Sequence, residues 1–183
     1  YQLGTLIRLA RGGTRTVRRA AVLALGMLGD YSMNRVLGLA LQDRDRGVRL
    51  LADQALRQIW PREGNPSQRS KLHSAIRLNQ LFRFADACRW TTELIAEAPD
   101  LAEAYHQRAI AFACQGEFEA AVEDCHMALE FNPYHFAAAA AMGQAQLELD
   151  DRAAALESFQ RALRLNPDLD GVRARVQQLQ RQQ

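Results

Sequence analysis

The sequence predicts an all-α protein, an α-solenoid made of stacked antiparallel helix pairs. In the C-terminal two-thirds of the chain, three sets of residues recur at a step of 34: Ala87, Ala121 and Ala155; Pro99, Pro133 and Pro167; and Leu94, Ala128 and Ala162. In the N-terminal third, three pairs recur at a step of 31: Val17 and Val48, Ala21 and Ala52, and Leu25 and Leu56. Repeats with fixed steps of this length are typical of helix pairs that bury their apolar faces against their neighbours.

Composition and charge limit what the chain can be. With 183 residues, of which 48% are apolar, it is long enough for one large or two small folded domains. Its 23 basic and 21 acidic residues nearly cancel, so the total charge selects neither nucleic acid nor a membrane as the partner. The distribution is uneven, because residues 1–66 have a net charge of +6 and residues 67–183 a net charge of −4.

The sequence contains no membrane-spanning segment and no disulfide framework. The longest uncharged run, from Phe131 to Leu147, is interrupted by a proline and consists mainly of alanine. The three cysteines, Cys88, Cys114 and Cys125, are an odd number without a close pair, which favours a reducing, cytoplasmic compartment. Because the chain begins at Tyr1 rather than methionine, we expect that a signal peptide, an anchor or a further domain can precede it.

Each unit of the C-terminal repeat is predicted to form two helices. In the central unit these are Ala102 to Gln115 and Phe118 to Phe131, separated by Gly116, because glycine can leave a helix with a positive φ angle at no steric cost. The pattern from Ala102 to Tyr134 is carried by Tyr105, Ala109, Phe112, Gly116, Ala121, Ala128 and Pro133. On these residues the unit resembles a tetratricopeptide repeat.

The two flanking units resemble the same family less closely. The following unit keeps Gly143, Ala155, Phe159, Ala162 and Pro167. The preceding unit keeps Ala75, Leu78, Ala87 and Pro99, but has Phe82 where the family prefers glycine and Leu94 where it prefers alanine. The resemblance implies three repeats, at about residues 68–101, 102–135 and 136–169. A polar helix over 169–183, with Val172, Val176 and Leu179 on one face, is predicted to cap the array.

The N-terminal segment resembles a second family. Residues 16–30 and 45–59 are similar to the second helix and turn of a HEAT-like repeat of the short, bacterial lyase-associated type. The resemblance implies two HEAT-like repeats in residues 1–60, a linker over 61–67 and, with the tetratricopeptide units, a right-handed superhelix. In that family an acid shortly before the Val-Arg pair bonds along a ladder of aspartates and arginines. Asp45 fits this place, whereas the first copy has Thr14, so we expect the ladder to be interrupted there.

We find no motif for catalysis, a cofactor or a metal. The sequence has no phosphate-binding glycine loop followed by lysine, no His-Glu-x-x-His, no paired Cys-x-x-Cys and no nucleophile elbow. The four histidines, His73, His106, His126 and His135, fall on different helices and a turn, without the spacing of a zinc site. We therefore predict a protein that is not an enzyme and has no catalytic residue, cofactor or bound metal.

The tetratricopeptide resemblance implies a function. In that family the first helix of each pair lines a concave groove that takes a peptide or a segment of another protein, which predicts a scaffold or adaptor. The groove residues carried over to this sequence are Leu72, Ile76, Asn79, Gln80, Glu103, His106, Ile110, Cys114, Ala137, Ala140, Gln144, Leu147 and Glu148. Spacings of three and four place each set on one helical face.

One subtype of this groove is not predicted. Tetratricopeptide domains that clamp the carboxylate tail of heat-shock chaperones need Lys, Asn, Asn, Lys and Arg at five places. This sequence has Leu72, Ile76, Gln107, Ala137 and Ala141 there. The identity of the partner and the oligomeric state are left open.

Two alternative functions follow from the N-terminal part. A basic face could bind nucleic acid or an acidic partner through Arg11, Arg15, Arg18, Arg19, Arg44, Arg46 and Arg49. Nucleic acid is the less favoured of the partners, because two repeats offer few phosphate contacts, and its affinity would fall steeply with salt. The lyase-associated resemblance also allows a bilin-lyase-like accessory protein.

Overall fold

The computed structural model describes residues 2–181, so residues 1, 182 and 183, at the ends of the predicted first repeat and capping helix, lie outside it. Over the described residues the chain forms helices and no strand, which confirms the all-α prediction. The α-helices are α1 Leu3–Gly12, α2 Arg15–Leu28, α3 Asn34–Ala40, α4 Arg46–Ile59, α5 Pro66–Gln80, α6 Phe84–Glu97, α7 Ala102–Gln115, α8 Phe118–Phe131, α9 Phe136–Glu148, α10 Arg152–Leu165 and α11 Asp170–Arg181. Short 3-10 turns lie at Tyr31–Met33 and Trp60–Arg62. None of the described helices has the length and apolar content needed to cross a membrane.

The helices form two compact units. The first comprises the chain up to Glu63 together with Leu165–Asp168, and the second comprises Gly64–Arg164 and the chain from Leu169 onward. In the second unit, α7 and α8 have the bounds that the sequence predicts.

The core of the first unit lies between α2 and α4. Leu25 and Leu56, which occupy equivalent positions of the N-terminal repeat, are fully buried, and each contributes roughly 1.5–3 kcal/mol by leaving water. The two helices approach closely at Gly26, where an added Cβ would lie 2.5 Å from the Cβ of Ala55. The residues that repeat in the sequence are therefore the residues that pack the helices together.

Arginine–aspartate pairs stabilise the first unit. Arg18 on α2 donates two hydrogen bonds to Asp43, at 2.7 and 2.8 Å, and Arg49 on α4 donates two to Asp168, at 2.7 and 3.0 Å. Paired hydrogen bonds between a guanidinium and a carboxylate are both strong and directional. The two arginines occupy equivalent positions of the N-terminal repeat, so the pairing follows the sequence repeat.

Thr14, where we expect the ladder to be interrupted, takes no part in these arginine–aspartate pairs. Thr14 does not need to supply a carboxylate, because Arg18 reaches forward to Asp43 in the turn before α4. Thr14 instead caps α2 by accepting a hydrogen bond from the backbone N–H of Val17. Asp45, the acid expected in the ladder, accepts two hydrogen bonds from Arg19.

In the second unit, the turns between paired helices repeat in backbone conformation. Phe82, Gly116 and Asp150 follow α5, α7 and α9, recur at the step of the C-terminal repeat, and have φ angles of 58°, 84° and 58°. A left-handed conformation is free of steric cost for glycine but costs roughly 1–2 kcal/mol for a residue with a Cβ. The fold therefore imposes this turn even where the sequence lacks the glycine.

The second unit begins inside the segment predicted as a linker. Pro66 is the first residue of α5, and Asn65 caps the helix by accepting from the N–H of Gln68, whose side chain in turn accepts from the N–H of Asn65. Proline is well suited to the first position of a helix, because the backbone N–H that it lacks would have no partner within the helix there.

The last helix closes the second unit. On α11, Val176 and Leu179 are buried against Ala155 and Phe159 of α10, and Val172 packs beside them, as the stripe in the sequence predicts. Gly143 on α9 lies under the Phe159 ring, where an added Cβ would come within 2.8 Å of ring carbons.

Candidate functional site

The second unit contains a pocket with a volume of about 390 Å³ between α7, α8 and α9. Its walls are mainly apolar. They consist of Ala109, Ile110, Ala113 and Cys114 from α7, Phe118, Ala121 and Cys125 from α8, and Ala141, Gln144, Ala145 and Glu148 from α9. Apolar walls with a few polar groups are typical of sites that bind a ligand or side chain.

The space exists because α7 and α9 present alanines to each other where larger residues would fill the gap. Cys125 is fully buried, and burial raises the pKa of its thiol to about 12. The thiol therefore stays protonated and is part of the apolar wall. On α9, the Gln144 amide donates a hydrogen bond of 3.0 Å to the exposed carboxylate of Glu148.

Near the pocket, α7 also carries a buried polar network. The Glu103 carboxylate accepts hydrogen bonds from the Gln107 amide at 2.7 Å and from Nε2 of His135 at 2.9 Å, and Nδ1 of His106 lies 3.4 Å away. The Asn79 amide on α5 donates to both the side-chain and the backbone oxygen of Gln107. The network links α5, α7 and the residue before α9.

The charge states in this network follow from burial and pairing. Burial alone would raise the pKa of Glu103, but His106 and His135 outweigh it, so the pKa is lowered and the carboxylate is ionised at neutral pH. Burial, followed by the proximity of His106, lowers the pKa of His135 to about 4. His135 is therefore neutral. Its Nδ1 accepts from the N–H of Ala138, so its Nε2 carries the proton that it donates to Glu103.

Three groups in the network have the chemistry of metal ligands. One ligand atom each from Glu103, His106 and His135 lie within 4.8 Å of one another. Sequence reasoning missed this convergence, because His106 and His135 belong to different helical segments; the signal available was the spacing of three between Glu103 and His106. With Nδ1 occupied as an acceptor, Nε2 of His135 holds a proton where a metal ion would need a lone pair. Hydrogen bonding accounts for this cluster, and we assign it no metal.

Comparison with known proteins agrees with the repeat pattern of this unit. Residues 102–135 match the family model of the Tetratricopeptide repeat. The match covers α7, α8 and the turn before α9.

Solved structures of tetratricopeptide (TPR) proteins share the fold. The Sgt2 TPR domain from Aspergillus fumigatus has a TM-score of 0.61 and 19% identity, over 64% of this chain and 80% of that chain. The first TPR of Spaghetti bound to an HSP90 peptide has a TM-score of 0.60 and 18% identity, over 62% and 90% of the two chains. The TPR2AB domain of yeast Sti1 in a pHSP90 complex has a TM-score of 0.56 and 19% identity, over 97% and 84%. At these identities the similarity establishes the helical fold.

Four of the predicted groove residues line the pocket beside the tetratricopeptide repeat: Ile110, Cys114, Gln144 and Glu148. Three others, Asn79, Glu103 and His106, are buried in the polar network. Ala137, Ala140 and Leu147 are half-buried, and Gln80 is exposed. The sequence did not predict Phe118, Ala121, Cys125 and Ala145 as lining residues. The family resemblance assigns the groove to the first helix of each pair, whereas the first three lie on the second helix α8, and only some positions of α9 were carried over.

Leu72 is not a groove residue. It is fully buried in a cluster with Leu94 and Leu101, and Ile76 on the same helix packs against this cluster. The reason is that α5 lies against both α6 and α7, so its apolar face is used for helix packing. The prediction of Leu72 as a partner contact is wrong.

Four of the seven arginines of the predicted basic face pair with aspartates of the first unit. Arg18, Arg19 and Arg49 bond to aspartates, and Nε of Arg46 lies 3.5 Å from the Asp168 carboxylate. Arg11, Arg15 and Arg44 are exposed. Three aspartates therefore offset part of the positive charge that this face would present to phosphate.

Proposed function

We propose that the protein is a non-catalytic scaffold that holds a segment of another protein in the groove of its second unit. The observation that carries the proposal is the apolar pocket, which Ile110 of α7 lines together with Gln144 and Glu148 of α9. A volume of about 390 Å³ is in the range that admits a ligand, and apolar side chains of a bound segment would fill it.

The structural neighbours support a role in peptide binding. The Spaghetti domain was solved bound to an HSP90 peptide, and the yeast Sti1 domain in a pHSP90 complex. This chain differs at the places that the carboxylate clamp requires, with Leu72 buried and alanines at 137 and 141. We therefore propose the same kind of use, a groove for an extended or helical segment, with a different class of ligand.

The affinity expected of such a groove is modest. Three helix pairs offer a short surface, and a dissociation constant in the micromolar range corresponds to about −8 kcal/mol. An adaptor of this kind exchanges partners readily, because most differences in affinity between related complexes come from the rate of dissociation.

For the first unit we propose two HEAT-like repeats within residues 1–60, joined through residues 61–67 to three tetratricopeptide units over about 68–168 and a capping helix over 169–183. The equivalent bidentate pairs made by Arg18 and Arg49 support the repeat. This unit would orient the groove or give the partner a second contact.

The test is affinity capture from nuclease-treated lysate, with the bound proteins identified by mass spectrometry. Ile110→Arg places a charge in the pocket, and Ala141→Phe fills it without adding charge. Ala96→Arg is the matched control, because it adds the same side chain at an exposed position of α6 that belongs neither to the predicted groove nor to the pocket lining.

Proteins bound by the wild type and by Ala96→Arg but lost with both pocket variants are the expected result. Circular dichroism checks that the variants fold. If the same proteins are retained by both folded pocket variants, the groove is not the binding surface.

A further inference from the structure

We infer that the segment held in the pocket is basic, with an apolar side chain between α7 and α9 and a neighbouring lysine or arginine that pairs with Glu148. This inference rests on the proposed function and specifies its ligand. Three observations carry it: the apolar pocket, the acidic charge of the helices that line it, and the C-terminal ends of α7 and α9, which lie at the pocket.

The helices that build the pocket belong to a strongly acidic stretch. Residues 102–151 contain nine acidic residues and one arginine, a net charge of −8. The arginine, Arg108, donates two hydrogen bonds to Asp124 at 2.7 and 2.8 Å, so these two charges neutralise each other. Glu103 is buried with its own hydrogen-bond donors. The remaining seven acids are exposed, and one of them, Asp150, lies 3.5 Å from Nε of the next basic residue, Arg152. They are Glu117, Glu119, Glu123, Glu130, Glu148, Asp150 and Asp151.

Glu148 brings this charge to the pocket. It lines the cavity, and its carboxylate accepts a hydrogen bond from the Gln144 amide. A neutral donor leaves the full negative charge of the carboxylate in place. Within the described chain Glu148 makes no salt bridge to lysine or arginine. A cationic side chain of a partner would complete the site.

The helix ends add to the same field. Cys114 lines the pocket one residue before α7 ends at Gln115, and Glu148 is the last residue of α9. The C-terminal end of a helix carries a partial negative charge of about half an elementary charge. Neither helix has a basic residue in its last turn to compensate it. Two helix ends and one carboxylate therefore favour a cation and disfavour an acidic tail at this place.

The apolar part of the ligand follows from the lining. Ala109, Ile110, Ala113 and Ala145 form walls without a charged group, so a segment gains affinity by burying aliphatic or aromatic side chains there. The cation must then lie close to this anchor in the ligand, because Glu148 is part of the same lining. An apolar residue followed closely by lysine or arginine satisfies both requirements.

The experiment uses a phage-displayed library of random peptides about 12 residues long, long enough to follow the groove at ~3.3 Å per residue. Selection on the whole wild-type chain is followed by removal of phage that also bind Ala141→Phe, so the enriched peptides depend on the pocket. Ile110→Arg serves as the second blocked variant if Ala141→Phe fails to fold. Synthetic peptides from the selection are then titrated against Glu148→Lys and against Glu123→Lys, which makes the same charge change at an exposed acid that does not line the pocket.

Enriched peptides should combine an apolar residue with a nearby lysine or arginine. Glu148→Lys should weaken their binding roughly tenfold, since it replaces an attraction with a repulsion at a partly exposed pair, and Glu123→Lys should weaken it by less. Replacing the basic residue of the peptide with glutamate should restore binding to Glu148→Lys.

Two results would overturn the inference in different ways. Pocket-dependent peptides that are acidic or neutral, or that bind Glu148→Lys as well as wild type, contradict the basic ligand and leave the groove intact. A selection that yields no pocket-dependent peptide contradicts the proposed function as well.

Discussion

The two units stack helix pairs in the same way, but they use charged residues differently. In the first unit, Arg18 and Arg49 bind aspartates of the same unit, so the charges contribute to its own structure. In the second unit, the acids from 102 to 151 are mostly exposed, Glu148 lines an apolar pocket, and the buried carboxylate of Glu103 is held by histidines and an amide. The paired charges of the first unit therefore stabilise its own fold, whereas the exposed acids of the second unit are available to a partner.

The largest effect is expected from the buried carboxylate. Glu103→Ala leaves the Nε2–H of His135 and the Gln107 amide buried without an acceptor, and we expect a loss of about 3 kcal/mol in the free energy of unfolding. Urea denaturation measures it. Glu103→Gln keeps an acceptor in the same place and should cost less. A loss below about 1 kcal/mol for Glu103→Ala would show that the network does not stabilise the second unit.

Acid should loosen the second unit before the first. The pKa of His135 is lowered to about 4, below the value near 6.5 in the unfolded chain, so the unfolded state binds more protons between these values. Stability that is present above about pH 6.5 is therefore lost as the pH falls toward about 4. The lowered pKa of Glu103 acts in the same direction at lower pH, because its contribution is lost below the unfolded value of about 4.3.

In the first unit the corresponding loss needs stronger acid. The hydrogen bonds from Arg19 lower the pKa of Asp45 to about 2, and those from Arg18 lower the pKa of Asp43. These contributions persist until the pH falls below about 3.9. The two tryptophans, Trp60 in the first unit and Trp90 in the second, give separate indole N–H signals by NMR. The Trp90 signal should change at higher pH, and equal midpoints for both tryptophans would contradict the comparison.

A smaller effect is expected when one pair of the first unit is removed. Arg18→Met keeps much of the side-chain volume but removes both hydrogen bonds to Asp43 and the one to the Gly13 carbonyl. We expect a lower melting temperature, with part of the loss recovered when Asp43→Asn is added. Arg44→Met, at an exposed arginine, is the control and should change little. Equal melting temperatures for the two single variants would mean that the pair stabilises nothing.

The smallest effect concerns the turns of the second unit. Phe82 is 80% exposed and has a φ angle of 58°, so Phe82→Gly loses little packing and relieves the left-handed strain. We expect a gain of about 1 kcal/mol in stability. Gly116→Ala, at the equivalent turn, should lose a similar amount. A destabilised Phe82→Gly would instead show that the contact of the Phe82 ring with Phe84, with ring centres 6.0 Å apart, outweighs the strain.

The repeat and its helices could be predicted from the sequence because each depends on residues within one unit. The step of 34 and Gly116 were sufficient to place α7 and α8 at their observed bounds. The acid that pairs with Arg18 could not be predicted in the same way, since Asp43 lies far along the chain and its approach depends on the packing of α4 beside α2.

The candidate site was predictable in part. Spacing placed Ile110, Cys114, Gln144 and Glu148 on the inner faces of their helices, and these residues meet at the pocket. Spacing could not show that Leu72 lies in the core, because the same helical face packs against neighbouring helices in α5 and lines the pocket in α7 and α9. The meeting of His106 with His135 also depended on a detail outside the periodic pattern, the capping of α9 by His135.

The three left-handed turns bear on how such a chain can change in length. Phe82, Gly116 and Asp150 hold one backbone conformation with three different side chains. Duplication or deletion of one whole repeat would bring one such turn into the place of another, with the chain leaving the helix in the same direction. A unit gained or lost in this way would leave the same turn conformation at its junction, whichever side chain stands there.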